Sequence, residues 1–133
     1  LGNVSYVLHC IAAIKFAEKS QNSPKNIKFY RDCFDLQAVR EVHELDEERI
    51  SVARAIGIPV RNICDWLSES YGTPISDLQT MFTNTPAYAN LSCMLDTTHR
   101  YITDDVPTGL VALEQLAIQY GVQSPTCTNY INR

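Results

Sequence analysis

His99-Arg100-Tyr101-Ile102-Thr103-Asp104-Asp105-Val106-Pro107-Thr108-Gly109 gathers a cation, a phenol and two carboxylates into a polar loop that ends at a helix start. Pro107 marks that start, because proline is tolerated in a helix's first turn, where its missing N–H costs nothing. Leu110 to Tyr120 then runs on as an apolar-faced helix, so the loop is held by rigid structure. Such a loop lacks a proton carrier that titrates near neutral pH. His9, far away in sequence in a stretch of small and aliphatic residues, is the candidate, and the two stretches are expected to meet.

A chain of 133 residues with 45% hydrophobic and 20% charged content suits one soluble globular domain, residues 1–133, with room for a real core. The formal net charge of -4 argues against a nucleic-acid surface or an anionic membrane as the main partner. No apolar run reaches membrane-spanning length. Five cysteines (Cys10, Cys33, Cys64, Cys93 and Cys127) form an odd, widely spread set without a Cys-x-x-Cys pair. That pattern fits reduced core thiols in a cytoplasmic protein better than a disulfide frame or a zinc site. The chain opens at Leu1-Gly2-Asn3 without an initiator methionine or a signal peptide, which reads as a piece of a longer protein.

Taken in order, Val4 to Phe16 reads as a helix with Val4, Val7, Leu8, Ile11 and Ile14 on one apolar stripe. Ser5, His9, Ala12, Ala13 and Phe16 follow the same period on a second stripe, where small residues let another element approach the imidazole. This is the pattern of a central helix buried on two sides. Ser20-Gln21-Asn22-Ser23-Pro24 is a loop that ends it, and Phe29 to Phe34 is either a short helix or a packed loop. Asp35 as N-cap, then Leu36, Val39, Val42, Leu45, Val52, Ala53 and Ile56, mark a long amphipathic helix stopped by Gly57 and Pro59, with its charges on the solvent side. Val60 to Tyr71 carries Ile63, Trp66 and Leu67 on one face and ends before Gly72, a left-handed C-cap. Thr73-Pro74, Thr85-Pro86 and Ser124-Pro125 can each cap a short helix and supply its first residue. Alternating runs joined by Asn-Gly or Asp-Gly turns are missing, so the expected fold is all-α, with about six to eight helices on ordinary helix lengths.

Several residues carry two readings. His43-Glu44-Leu45-Asp46-Glu47 falls short of the zinc-protease pattern because Glu47 sits where the second histidine belongs, so no metal site is expected. Arg40 with Glu44, and Asp46 with Arg49, read as ion pairs on a solvated helix face, each contributing about 0.2–0.5 kcal/mol. Asp104 and Asp105 can simply favour the helix start at Pro107 through its dipole. His9, equally, can be a hydrogen-bonded core histidine rather than a catalyst.

Read together, the motifs point further. Arg100-Tyr101-Ile102-Thr103-Asp104-Asp105-Val106-Pro107-Thr108-Gly109-Leu110-Val111 closely resembles a signature of the octopine/nopaline (opine) dehydrogenase family. There the pattern runs Arg-Tyr, two residues, acidic-Asp-Val-Pro, then Gly-Leu-Val. Other pieces fall in the family's order. Asn3 and His9 match its Asn-to-His segment, Phe29-Tyr30 its Phe-Tyr pair, and Leu45-Asp46-Glu47-Glu48-Arg49 with Ala53 to Gly57 its Leu-Asp-x-Glu-Arg helix. Cys10 stands where the family usually has a proline, and the Leu-Asn-x-Gly stretch that follows the family's histidine is absent. These departures mark a divergent member with an altered substrate pocket.

The resemblance implies a two-domain enzyme in which a Rossmann domain binds NAD or NADP and this α-helical C-terminal domain brings substrate-binding and catalytic groups. Gly2, Gly57, Gly72, Gly109 and Gly121 are too dispersed for a Gly-x-Gly-x-x-Gly phosphate loop, so this chain alone is expected to reduce nothing. In the family, the amine of an amino acid condenses with the carbonyl of a 2-oxo acid, and the imine is reduced by hydride. By resemblance His9 gives and takes protons, Asp105 fixes its tautomer, and Asp104 is a flank or cap. Arg100 would clamp either a substrate carboxylate or the cofactor pyrophosphate. The expected partners are the two substrates and the Rossmann domain, with a homodimer left open as an alternative to a single copy. Two other readings stand beside this one: a non-catalytic helical interaction module, and a dehydrogenase of a hydroxy acid or polyol phosphate.

Overall fold

The computed structural model describes residues 1–20, 27–89, 91 and 99–133. Among them the secondary structure is helical and no strand is found. The elements are α1 (Ser5–Ser20), α2 (Phe29–Asp32), α3 (Leu36–Ile56), α4 (Ile63–Tyr71), α5 (Leu78–Asn84), α6 (Pro86–Ala89) and α7 (Arg100–Thr103). A π turn (Val106–Leu110) then leads without a break into α8 (Val111–Gln119), and α9 (Pro125–Ile131) follows. The count of α-helices among the described residues exceeds the expected six to eight because α2, α6 and α7 are single turns, shorter than base-rate helices. The Ser20-Gln21-Asn22-Ser23-Pro24 loop expected after α1 lies largely outside the described residues, as does Cys93.

Helix α1 is central, packed against α3 on one side and against α7 and the π turn on the other. Its sequence allows this, since Val7, Ile11 and Ala12 are wholly buried while Ala13 and Cys10 leave space for close neighbours. Asn3 begins the helix by accepting the Ser5 N–H at 2.8 Å, one of the donors a helix start leaves without a partner. Helix α3 runs between the residues expected to bound it: Asp35 accepts the Ala38 N–H at 3.0 Å, and Gly57 closes the other end at φ 83°. Gly72 ends α4 in the same way at φ 67°.

A second cluster of rings fills the space between α2, α5 and α6. Tyr30 stacks on Tyr88 at 3.9 Å, and Phe34 meets Phe82 at 4.8 Å. Of the three hydroxyl-proline pairs, Thr85-Pro86 and Ser124-Pro125 do precede helices, but Thr73-Pro74 does not. Thr73 instead donates to the Thr85 hydroxyl at 2.8 Å, since the Thr85 proton is used on the Met81 carbonyl at 2.7 Å. Asp77 caps α5 in its place, accepting the Thr80 N–H at 2.9 Å.

The charges of α3 do not all face solvent. Asp46 and Arg49 are buried, with the Arg49 side chain 0% exposed. Each nitrogen of that guanidinium has a partner: Nε donates to Asp46 Oδ1 at 2.8 Å, one terminal nitrogen to the Leu1 carbonyl at 2.6 Å, and the other to the Arg61 carbonyl. Asp46 Oδ2 accepts the Ile63 N–H at 2.9 Å at the start of α4. Glu48 reaches across to α9, accepting the Thr126 and Cys127 N–H groups at 2.7 and 2.8 Å, and so caps that helix where Ser124 was expected to. Asp46, Glu48 and Arg49 therefore tie elements together. Charged side chains can be buried here because each is fully partnered. Cys10, Cys33 and Cys127 are buried, Cys64 is half-buried, and none of these four is disulfide-bonded. No helix among the described residues is long and apolar enough to cross a membrane.

Candidate active site

The stretch from His99 to Gly109 is more helical than a loop. His99 Nδ1 accepts the Tyr101 N–H at 3.3 Å and starts the single turn α7. Asp104 closes that turn, and its carbonyl accepts both the backbone N–H and the hydroxyl of Thr108, at 3.0 and 2.8 Å. Pro107 stands in the first turn of the next element, as expected, yet that element opens with π geometry: the Val111 N–H reaches the Val106 carbonyl, five residues back. Such single-turn bulges are rare, and this one packs against α1 with one side chain standing just before it. That side chain is Asp105.

Asp105 thereby faces α1. Its Oδ2 lies 2.8 Å from His9 Nδ1, across 96 residues of sequence, with the two side chains 13% and 16% exposed. A carboxylate only accepts hydrogen bonds, so the neutral imidazole carries its proton on Nδ1 and presents Nε2 as a base. Among the described residues Nε2 has no hydrogen-bond partner. Burial holds the His9 pKa below its ordinary 6.5, against the opposing pull of Asp105, and the positive Arg100 adds to the lowering. At neutral pH the ring is uncharged and able to take a proton.

Arg100, on the first residue of α7, is exposed, and Asp104 is exposed beside it. Arg100 comes near enough to His9 to act on its charge, and among the described residues its guanidinium has no built partner. Aromatic rings enclose the imidazole. Tyr101 stacks on it at 3.7 Å with planes 18° apart, and Phe29 approaches edge-on at 6.3 Å. Sequence reading did not give Tyr101 this place, although its position next to Arg100 in the motif was a signal. Gly109 is a further residue it did not explain: a Cβ there would fall 2.5 Å from Tyr6 Cβ, so only glycine lets the π turn lie against α1.

Neither Asp46 nor Glu48 joins this site, and His43, Glu44 and Glu47 are exposed. No three His, Cys, Asp or Glu side chains converge in a metal-binding arrangement among the described residues. A cleft of about 540 Å³ between α8 and α9, bounded by Glu114, Ile118, Val122 and Pro125, holds none of the groups above. The described residues contain no strand-turn-helix and no glycine-rich turn to cradle a dinucleotide pyrophosphate. The exposed guanidinium of Arg100 is the group here whose chemistry suits an anion.

Known proteins resemble this chain in sequence and in fold. An opine dehydrogenase from Arthrobacter sp. (strain 1C) is 28% identical over 125 residues, covering 94% of this chain and 34% of its own length. A vitopine synthase from Allorhizobium ampelinum is 32% identical over 104 residues, which is 78% of this chain and 29% of that protein. An octopine dehydrogenase solved with NADH and L-arginine has the same fold over 96% of this chain and 37% of its own, at a TM-score of 0.75 and 24% identity. The chain spans about a third of the length of the curated relatives it matches. The sequence model described as NAD/NADP octopine/nopaline dehydrogenase, alpha-helical domain, matches residues 1–133, and the chain belongs to that family.

Proposed function

We propose that this chain is the substrate-binding and catalytic helical domain of an opine dehydrogenase, a fragment of a longer cytoplasmic protein whose other domain binds NAD or NADP. The observation that carries the reading is the 2.8 Å contact between His9 Nδ1 and Asp105 Oδ2, which leaves a neutral Nε2 pointing away from its carboxylate.

The chemistry of such a reaction matches that base. An amino acid reaches the site as an ammonium, and Nε2 of His9 takes a proton from it, freeing the nitrogen lone pair to add to the carbonyl of a 2-oxo acid. The imidazolium formed is stabilised by Asp105, which need not itself be protonated. Nε2 then returns its proton to the carbinolamine hydroxyl, which leaves as water and yields the protonated imine. A nicotinamide cofactor held by the other domain would supply the hydride that converts this cation to the secondary amine. Arg100 holds an anion through paired charge-assisted hydrogen bonds, either a substrate carboxylate or the cofactor pyrophosphate. The fragment alone is expected to reduce nothing, because its described residues include no fold element to hold a dinucleotide.

The test is a cofactor-linked assay on the full-length protein. NADH or NADPH should be oxidised only when a 2-oxo acid and an amino donor are both present. Turnover without any amine would instead indicate a dehydrogenase acting on a hydroxy acid or related substrate. No turnover with any pair of amino and 2-oxo acids would leave the helical interaction module as the better account.

A further inference from the structure

The contact with Asp105 fixes where one atom of the His9 ring lies, but a single hydrogen bond does not fix the plane of the ring. Rotation of the imidazole about its Cβ–Cγ bond, opposed by that one hydrogen bond, would take Nδ1 off Asp105 and carry Nε2 away from any one substrate. The Tyr101 ring removes that freedom, lying face to face with His9 at 3.7 Å and only 18° from parallel. We propose that Tyr101 is a positioning residue that sets the plane of the His9 imidazole, so that Nδ1 keeps to Asp105 and Nε2 stays presented outward. This rests on the reading of His9 as the proton carrier.

Tyr101 is itself held on several sides. Phe29, wholly buried, meets its ring at 5.5 Å and 49°, and His99 meets it edge-on at 4.4 Å and 69°. The thiol of Cys10, next to His9 on α1, donates weakly to the Tyr101 carbonyl at 3.7 Å. The residue standing where the family usually has a proline thus ties α7 to the helix that carries the histidine. Among the described residues, the groups facing His9 from the elements around it are Asp105 before the π turn, His99 at the cap of α7, Arg100 and Tyr101 on α7, and the apolar Phe29 on α2. Among them, Tyr101 is the ring that meets the imidazole face to face.

The test uses the full-length protein labelled with ¹⁵N-histidine, in which two-bond ¹H–¹⁵N spectra near pH 8 report the tautomer of His9, assigned by loss of its signals in His9→Ala. The wild-type protein and Tyr101→Phe should hold the Nδ1–H tautomer. Tyr101→Ala, and Tyr101→Leu, which keeps an apolar contact for Phe29 but offers no flat face, should mix the two tautomers. In the same variants kcat should fall about tenfold to a hundredfold, the scale of a misplaced catalytic group, with KM changed less than about twofold. A pure Nδ1–H tautomer and unchanged kcat in Tyr101→Leu would overturn the proposal, as would failure of Tyr101→Phe to behave as wild type. If the tautomers respond as expected while the wild-type protein shows no amine-dependent turnover, Tyr101 still positions His9. It is then the dehydrogenase reading that fails.

Discussion

Gly109 and Tyr6 touch so closely that a methyl group on Gly109 would lie 2.5 Å from both Cβ and Cγ of Tyr6. Those Tyr6 atoms sit at the root of a side chain on the central helix and cannot swing aside, unlike the end of a lysine. Gly109→Ala must therefore push the π turn away from α1, and Asp105, one turn earlier, moves with it. The substitution should cost about 1–3 kcal/mol of stability, the usual price of overpacking, and should lower turnover of the full-length enzyme as well. A double-mutant cycle with Tyr6→Gly, which removes both of those atoms, checks the cause. If the clash is responsible, the double variant is less destabilised in chemical denaturation than the sum of the two single variants.

The roles proposed for His9 and Asp105 make separate demands. His9→Ala removes the base, and Asp105→Asn leaves the ring without the carboxylate that selects its tautomer. In the full-length protein each should reduce kcat by about 10²–10⁴-fold, the range for a positioned acid–base group, while circular dichroism and the unfolding midpoint stay near wild type. Near-normal turnover in either variant would remove the corresponding role.

Asp105→Asn also predicts a direction for the titration of His9. Burial lowers the His9 pKa, and Asp105 is the main influence raising it again, so loss of the carboxylate should lower the pKa further. An NMR titration of the His9 ring protons in the full-length protein should place the midpoint below 6.5 in wild type and lower still in Asp105→Asn. Because the folded pKa is depressed, the contribution of His9 to stability is complete above about pH 6.5 and is lost as the pH falls through the folded value. A midpoint above 6.5 in the wild-type protein would mean that the ion pair outweighs burial.

Arg100 can be assigned by which Michaelis constant responds. Arg100→Lys keeps the charge but not the planar fork, and Arg100→Ala removes both. A charge-assisted hydrogen bond contributes about 1.5–3 kcal/mol, so Arg100→Ala should raise one KM roughly tenfold to a hundredfold, with Arg100→Lys between it and wild type. A rise confined to the 2-oxo acid or the amino acid marks a carboxylate clamp. A rise confined to NAD(P)H marks a pyrophosphate clamp, and no change in any KM removes Arg100 from the binding groups.

What the sequence made legible follows the range of the interactions involved. Helix α3 can be read residue for residue, because its start and stop are written locally in Asp35, Gly57 and Pro59. The same holds for the C-cap at Gly72. The approach of Asp105 to His9 spans 96 residues and came from a family resemblance; helical periodicity alone left His9 equally readable as a core residue. The π turn was not legible, since nothing local distinguishes an i→i+5 bond from the ordinary helix start that Pro107 announces. Thr73 and Ser124 were misread for a related reason. A hydroxyl before proline can cap a helix, but here Asp77 and Glu48 reach those helix starts better, and Glu48 does so from another element. Asp46 and Arg49 have the i,i+3 spacing of an ordinary surface pair, and only the folded arrangement of Leu1, Arg61 and Ile63 around them makes the pair a buried junction.

That junction yields the last prediction. Arg49 is 0% exposed and joins three places, the chain start at Leu1, the approach to α4 at Arg61, and Asp46 on its own helix. Arg49→Met fits a similar volume but leaves the Asp46 carboxylate and two carbonyls with fewer partners, and an uncompensated buried charge costs about 3–5 kcal/mol. Asp46→Asn with Arg49→Met removes that charge as well, so the double variant should recover part of the loss. Because Leu1 and Gly2 lead into α1 just ahead of Asn3, release of the Leu1 carbonyl should also loosen the first turn of the helix that carries His9. Denaturant unfolding of the three proteins, with hydrogen exchange at the amides of Ser5 to Leu8, reads both effects. A single variant Arg49→Met as stable as wild type, with unchanged exchange in that turn, would show that the pair is dispensable and that α1 is held by apolar packing alone.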